Sequence, residues 1–193
     1  MDLEFGRTAV RAARQAAEAE AEGRSEDIEF PKGFSHRSGA FVTISEYPSG
    51  DLRGCIGYPE PVLPLGEAIV SAARSACHDP RFLPLTYKEA SEDVFEVTIL
   101  TPPERMTFSS AEDLLNKIRI GRDGLIISYM GRRGLLLPQV PAEWGWSKEE
   151  DLSHLSMKAG LPSDTWKKKG VAIDRFEGEI FAEESPKGEV IRK

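Results

Sequence analysis

Ala40-Phe41-Val42-Thr43-Ile44-Ser45 and Asp51-Leu52-Arg53-Gly54-Cys55-Ile56-Gly57-Tyr58 flank the turn cluster Pro48-Ser49-Gly50. Two runs rich in β-branched and aromatic residues around such a cluster read as a β-hairpin. In the second run, alternation sets Leu52, Gly54 and Ile56 on one face and Arg53, Cys55 and Gly57 on the other. A guanidinium and a thiol therefore share a side. The glycines mark a place where another backbone or a ligand can come close.

Working outward, residues 2–22 carry Leu3, Phe5, Ala9, Val10, Ala13, Ala16 and Ala17 at helical spacing, and Gly23 stops the run. A second helix is predicted from about Pro64 to Cys77. Its buried face is Leu65, Ala68, Ile69, Ala72, Ala73 and Ala76, and Asp79-Pro80 ends it. Val94–Leu100 reads as a strand broken by Pro102-Pro103. A short helix from Ser109 to Lys117 opens on a capping box of Ser109 with Glu112. The order then recurs: a hairpin of 124–129 and 134–138 around Gly131-Arg132-Arg133, a helix opened by a Ser147–Glu150 box, and a late strand over 172–183. The predicted fold class is α+β, with an N-terminal helix and two hairpin-helix-strand units packed as one body. The chain reads as a single domain, 1–193, with approximate halves 1–105 and 106–193.

The 193 residues are 40% hydrophobic, enough for a real core, and 30% charged with a net charge of −7. That balance argues against a general nucleic-acid binder. The one basic run, Lys167-Lys168-Lys169, is too short to track a phosphate backbone and reads as a solvated turn. No run approaches the ~18 apolar residues of a membrane span, and the acidic, alanine-rich start is unlike a signal peptide. Two cysteines, Cys55 and Cys77, suit a reduced compartment, with the cytoplasm as the default.

Two readings of Cys55 stand side by side. It is a small buried hydrophobe in a tight strand, or a thiol activated by Arg53. Arg53 is costly to bury alone, so it either pairs with Asp79 or a glutamate, or grips an anionic ligand bidentately. Asp79-Pro80-Arg81-Phe82 is a rigid turn that presents Arg81 to a ligand or to a salt bridge. In Leu137–Trp146, two prolines bracket Gln139, which can hydrogen-bond a ligand, and Trp144 and Trp146 form apolar walls or plug a junction. His36, His78 and His154 lack metal-ligand spacing. Neither a phosphate loop nor a Gly-x-Ser-x-Gly elbow is present, so no metal site and no cofactor is expected.

The segments 40–43, 52–57, 79–82 and 84–86, followed by Leu135-Leu136-Leu137-Pro138-Gln139-Val140 and Lys158-Ala159-Gly160-Leu161, together resemble the AMMECR domain family. The family takes its name from the Alport syndrome, midface hypoplasia and elliptocytosis chromosomal region. The resemblance runs over about residues 7–185 and points to a prokaryotic or archaeal stand-alone member. It implies an α+β fold of two repeated βαβ-type units, with a cleft between a larger and a smaller part. It also implies a shared site at 52–57 and a functional link to Memo-like and radical-SAM proteins, and it fixes no reaction.

Two functional expectations follow. The first is a small-ligand enzyme or modifying factor, with Cys55 as nucleophile or thiol ligand and Arg53, Gly54, Gly57, Asp79, Arg81 and Gln139 around the ligand. The second is a non-catalytic protein-interaction module in which the 52–57 segment is structural. In both, the partner is a small molecule or a protein, not a nucleic acid or a membrane.

Overall fold

The computed structural model describes residues 1–193 as a mixed α/β protein with six α-helices and antiparallel strand pairing throughout. It comprises two compact units, Met1–Leu100 with Glu179–Lys193, and Thr101–Gly178.

The first unit opens with α1 (Leu3–Ala21), whose start is capped by Asp2 accepting from the Phe5 N–H. Gly23, at φ +69°, ends the helix as the Arg24 and Gly23 amides fold back on the Ala19 and Glu20 carbonyls. The expected hairpin is present as β1 (Ala40–Ser45) and β2 (Leu52–Tyr58). It is followed by α2 (Leu65–Ala76), α3 (Tyr87–Glu92) and β3 (Val94–Leu100). β1 lies between β2 and β3, which leaves β2 at the edge of the sheet. The small faces read from sequence do pack: Ala9, Ala13, Ala16 and Ala17 of α1 and Ala68, Ala72 and Ala73 of α2 are fully buried. Alanine lets these two helices approach each other and the sheet closely, over Val42, Ile44, Phe95 and Val97. α3 went unread in the sequence, although Thr86 and Glu89 form a complete capping box at its start.

Across this core runs a buried ion pair. Arg14 Nε and Nη2 donate to the Glu183 carboxylate at 2.7 and 2.5 Å, and the guanidinium also reaches the Ala90 and Asp93 carbonyls. The Phe95 amide donates to the same carboxylate at 3.0 Å. Both Arg14 and Glu183 are 7% exposed, and every donor and acceptor that burial strips of water is replaced.

The second unit holds β4 (Glu104–Arg105), α4 (Ala111–Lys117), β5 (Asp123–Tyr129), β6 (Arg132–Leu136), α5 (Gln139–Glu143) and α6 (Lys148–Lys158). It also holds the first part of β7 (Ala172–Glu183), whose last five residues belong to the first unit along with β8 (Val190–Arg192). β5 pairs with β6 on one side and β7 on the other, and β4 pairs with Asp174 and Arg175. Met130 and Gly131 both take positive φ, so the β5–β6 turn lies one residue earlier than expected and Arg132 and Arg133 are strand residues.

The Ser147–Glu150 box caps α6 as expected. The box expected at Ser109 and Glu112 does not form, and the N-cap of α4 is Ser110. Ser110 accepts from the Asp113 N–H, and the Asp113 carboxylate reaches back to the Ser109 N–H. The core of this unit gathers Leu125, Ile127, Leu152, Leu155, Trp166 and Ile173.

Candidate functional site

Cys55 sits mid-strand in β2, opposite Thr43 of β1, whose hydroxyl lies 3.3 Å from the thiol sulfur. β2 is an edge strand, and Cys55 is one of the residues whose backbone polar groups meet partners outside the sheet. Its N–H donates to Asp79 Oδ2 at 2.9 Å, and Arg81 Nη2 stands 3.5 Å from its carbonyl oxygen. An exposed edge amide is a template for unwanted strand pairing, and this clamp covers it.

The turn after α2 aims the clamp. Phe82 N–H closes on the Asp79 carbonyl and Leu85 N–H on the Cys77 carbonyl, while Pro80 restricts the backbone between. Asp79 is 2% exposed and accepts from Arg81 N at 3.1 Å, Nε at 3.0 Å and Nη2 at 2.6 Å, besides Cys55. The Arg81 guanidinium beside it, with the Cys55 and Arg81 amides, outweighs burial and holds the Asp79 carboxyl far below the usual carboxylate range.

Arg53 does not pair with Asp79. Its Nε donates to Glu89 Oε1 at 3.0 Å, and its Nη2 donates to the Leu83 and Pro84 carbonyls at 3.0 and 3.4 Å. Burial works against the Glu89 charge, yet hydrogen bonds from Thr86 and Arg53 bring its carboxyl down to about 2. Phe82 lies between the two arginines, with guanidinium carbons 5.8 Å (Arg53) and 5.6 Å (Arg81) from its ring centroid.

The glycines admit the chain itself. A Cβ on Gly54 would stand 2.4 Å from the Ala76 carbonyl oxygen at the end of α2. One on Gly57 would meet the Phe41 ring and the Ala40 carbonyl at 2.4 and 2.5 Å. The structure thus joins Cys55, Asp79 and Arg81 in one hydrogen-bonded clamp, ties Arg53 to Glu89 and the Leu83 and Pro84 carbonyls, and packs Gly54 on the end of α2. Gln139 belongs to the other unit, exposed as the first residue of α5. Trp144, expected as a wall or plug, is 71% exposed, and Trp146 stacks on His154 at 3.8 Å between ring centroids. His78 meets Glu20 at 2.9 Å, so the sulfur of Cys55 has a threonine beside it and not an imidazole. Cys77 is buried against the Ala73 carbonyl, and burial pushes its thiol up to about 12.

Sequence reasoning missed Thr43, Glu89 and Leu83. The Thr86-x-x-Glu89 spacing signals a helix start and places Glu89 at a fixed height, and hairpin register gives Thr43. Nothing local marks Leu83 as the 83% exposed tip of the turn.

The sequence model of the AMMECR1 family matches residues 8–181, taking in both the hexapeptide and the clamp. The chain belongs to the AMMECR1 family. It is 53% identical to protein MJ0810 of Methanocaldococcus jannaschii, covering 100% of this chain and 97% of that one. A protein of Thermofilum pendens is 45% identical, covering 100% and 96%. The crystal structure of the uncharacterized protein PH0010 from Pyrococcus horikoshii superposes with a TM-score of 0.80 at 44% identity, covering 100% of this chain and 98% of that one. The AMMECR1 match thus takes in most of both compact units.

Proposed function

We propose that this AMMECR1-family chain is a non-catalytic protein-interaction module in which the 52–57 segment is a structural frame. One observation carries the reading: the charged groups around Cys55 are spent on the chain itself. Asp79 accepts four hydrogen bonds, and Arg53 is committed to Glu89 and two carbonyls. A buried carboxylate already saturated in this way has no lone pair to spare for a substrate. What the frame displays is Leu83, an apolar side chain on a turn held by Pro80, Pro84 and the Arg53 hydrogen bond to its own carbonyl. A rigid apolar tip gives up little entropy on docking, as an interface anchor requires.

The partners to try first are Memo-like and radical-SAM proteins, the classes the family resemblance implies. Calorimetric titration of such a purified partner should give saturable binding that Leu83→Asp abolishes while the melting temperature holds. Undiminished binding by Leu83→Asp overturns the docking role. The same reading takes 1–193 as one domain, supported by a family match that takes in most of both units, and takes hairpin-helix-strand as its recurring order. It sets the chain in the cytoplasm, supported by two unpaired cysteines.

A small-ligand enzyme built on Cys55 is the second reading, favoured by a thiol that is only half-buried and has the Thr43 hydroxyl alongside. Alkylation of the folded Cys77→Ser variant separates the two. Rapid reaction at neutral pH, blocked by a small molecule that also raises the melting temperature, supports the enzyme. Protection until unfolding supports the module.

A further inference from the structure

The charge of the chain is unevenly divided. Residues 101–178 carry twelve Lys and Arg against eleven Asp and Glu, in a protein whose net charge is −7. Four of those twelve, Arg105 and Lys167–Lys169, line one groove of about 570 Å³, formed within this unit by residues 105–111 and 166–172. Its size falls in the range of small-molecule sites.

Lys167, Lys168 and Lys169 are all exposed on one wall. Lys167 Nζ rests 4.7 Å from the Trp166 ring centroid, and Lys168 has only an exposed carboxylate, Asp164, at 3.8 Å. Lys169 makes no hydrogen bond or ion pair. Arg105 lines the same groove, and its guanidinium is held by a 2.6 Å hydrogen bond to Asp174. Ser110 Oγ accepts from the Asp113 amide and keeps its own proton to donate. An adjoining groove of about 450 Å³ shares Arg105 and adds Arg119, whose guanidinium has no partner.

Three consecutive lysines on one turn repel one another, and the protein supplies one distant carboxylate to offset them. A solvated turn accounts for the lysines alone. It does not account for an arginine of β4 that lines the same concave space. Anions with several negative oxygens relieve this repulsion, and lysine ammonium groups with a serine hydroxyl are ordinary phosphate ligands.

We propose that the Lys167–Lys169 groove binds a small molecule bearing two or more phosphate groups. This site is independent of the Leu83 surface and of Cys55.

The test is calorimetric titration of the intact protein with tripolyphosphate, and with citrate at matched ionic strength. The groove variant is Lys167→Gln/Lys169→Gln, and a charge-matched control is Lys32→Gln/Lys158→Gln. The wild type and the control should bind one tripolyphosphate per chain. The groove variant should bind at least about tenfold more weakly, with an unchanged melting temperature, since both lysines are exposed. An equal loss in the control, more than one tripolyphosphate per chain, or no saturation overturns the site. Tighter binding of citrate overturns the phosphate assignment. Tighter binding of a single-stranded oligonucleotide shows a nucleic-acid surface instead. Should the groove variant fail to fold, amide shifts in the wild-type protein decide. Changes confined to 105–111 and 166–172 support the site, and changes elsewhere refute it.

Discussion

Replacing Asp79 by alanine asks whether the clamp on β2 is structural. The substitution strips the Cys55 amide of its only acceptor at the sheet edge and frees three donors of Arg81. A hydrogen bond from a backbone amide to a charged, buried acceptor is worth about 1.5–3 kcal/mol. The Arg81 side chain is 55% exposed, so its ion pair with Asp79 adds only about 0–1 kcal/mol after solvent screening. The expected loss is about 2–4 kcal/mol, which lowers the melting temperature by roughly 5–15 °C in a chain of this length. Asp79→Asn keeps one acceptor and should lose less than Asp79→Ala. Arg81→Gln should cost under about 1 kcal/mol.

The pH dependence has a definite sign. The folded Asp79 carboxyl titrates below its unfolded value, so its stabilisation is full above about pH 4 and disappears in stronger acid. Urea midpoints of wild type and Asp79→Ala should therefore differ at pH 7, and the gap should begin to narrow, by up to about 1 kcal/mol, as the pH falls to 3. A gap below about 0.5 kcal/mol at pH 7, or one that persists unchanged in acid, refutes the structural role of the clamp.

Arg14→Met strands the buried Glu183 carboxylate and should cost about 3–5 kcal/mol by urea unfolding, while Arg14→Met/Glu183→Leu should recover most of it. Equal losses in the single and double variants would show that the pair itself, not the orphaned charge, sets the cost. Gly54→Ala forces a Cβ to within 2.4 Å of a backbone oxygen and should cost about 1–3 kcal/mol, a cost absent if calorimetry finds the melting temperature unmoved. Burial raises the Asp151 carboxyl to about 6, so the folded state holds its proton more tightly than the unfolded one. The contribution of Asp151 to stability should fall by up to about 3 kcal/mol as pH rises from 4 to 7, and Asp151→Asn should remove that part while leaving the part due to Asp93, which burial also raises to about 6. Parallel pH profiles for the two proteins would sink this assignment.

Where periodicity and turn chemistry coincide, the sequence was enough. α1, β1 to β3, α2 and β7 lie within a residue or two of their expected positions, because each carries its own apolar stripe and its own stop signal. α5 was hidden by Pro138 and Pro141, residues that signal a break yet are tolerated in a helix's first turn, where no amide partner is needed. β8 is three residues long and exists by pairing with β7, a contact that no local pattern encodes. At the site, the hexapeptide and Asp79-Pro80-Arg81-Phe82 could be singled out, and Arg53 was foreseen to need a counter-charge. Choosing Glu89 over Asp79 as that counter-charge required the position of α3. Choosing the Ala76 carbonyl as the occupant of the space beside Gly54 required the depth of α2.

The Arg14–Glu183 pair spans 169 residues of chain. A ribosome adding roughly 5–20 residues per second makes the cation about 8–34 s before its carboxylate exists. Thr101–Gly178 is a continuous stretch, whereas the unit containing the N-terminus is finished only by the last residues to emerge. The order of synthesis and the order of completion therefore run in opposite directions. The middle of the message can mature first, and until Glu183 is made Arg14 has only Glu18, one turn along α1 at 3.1 Å, as a counter-charge. Nascent chains stalled before Glu183 should be the species that chaperones hold, and a stop codon just ahead of Glu183 should leave the first unit without its buried counter-charge.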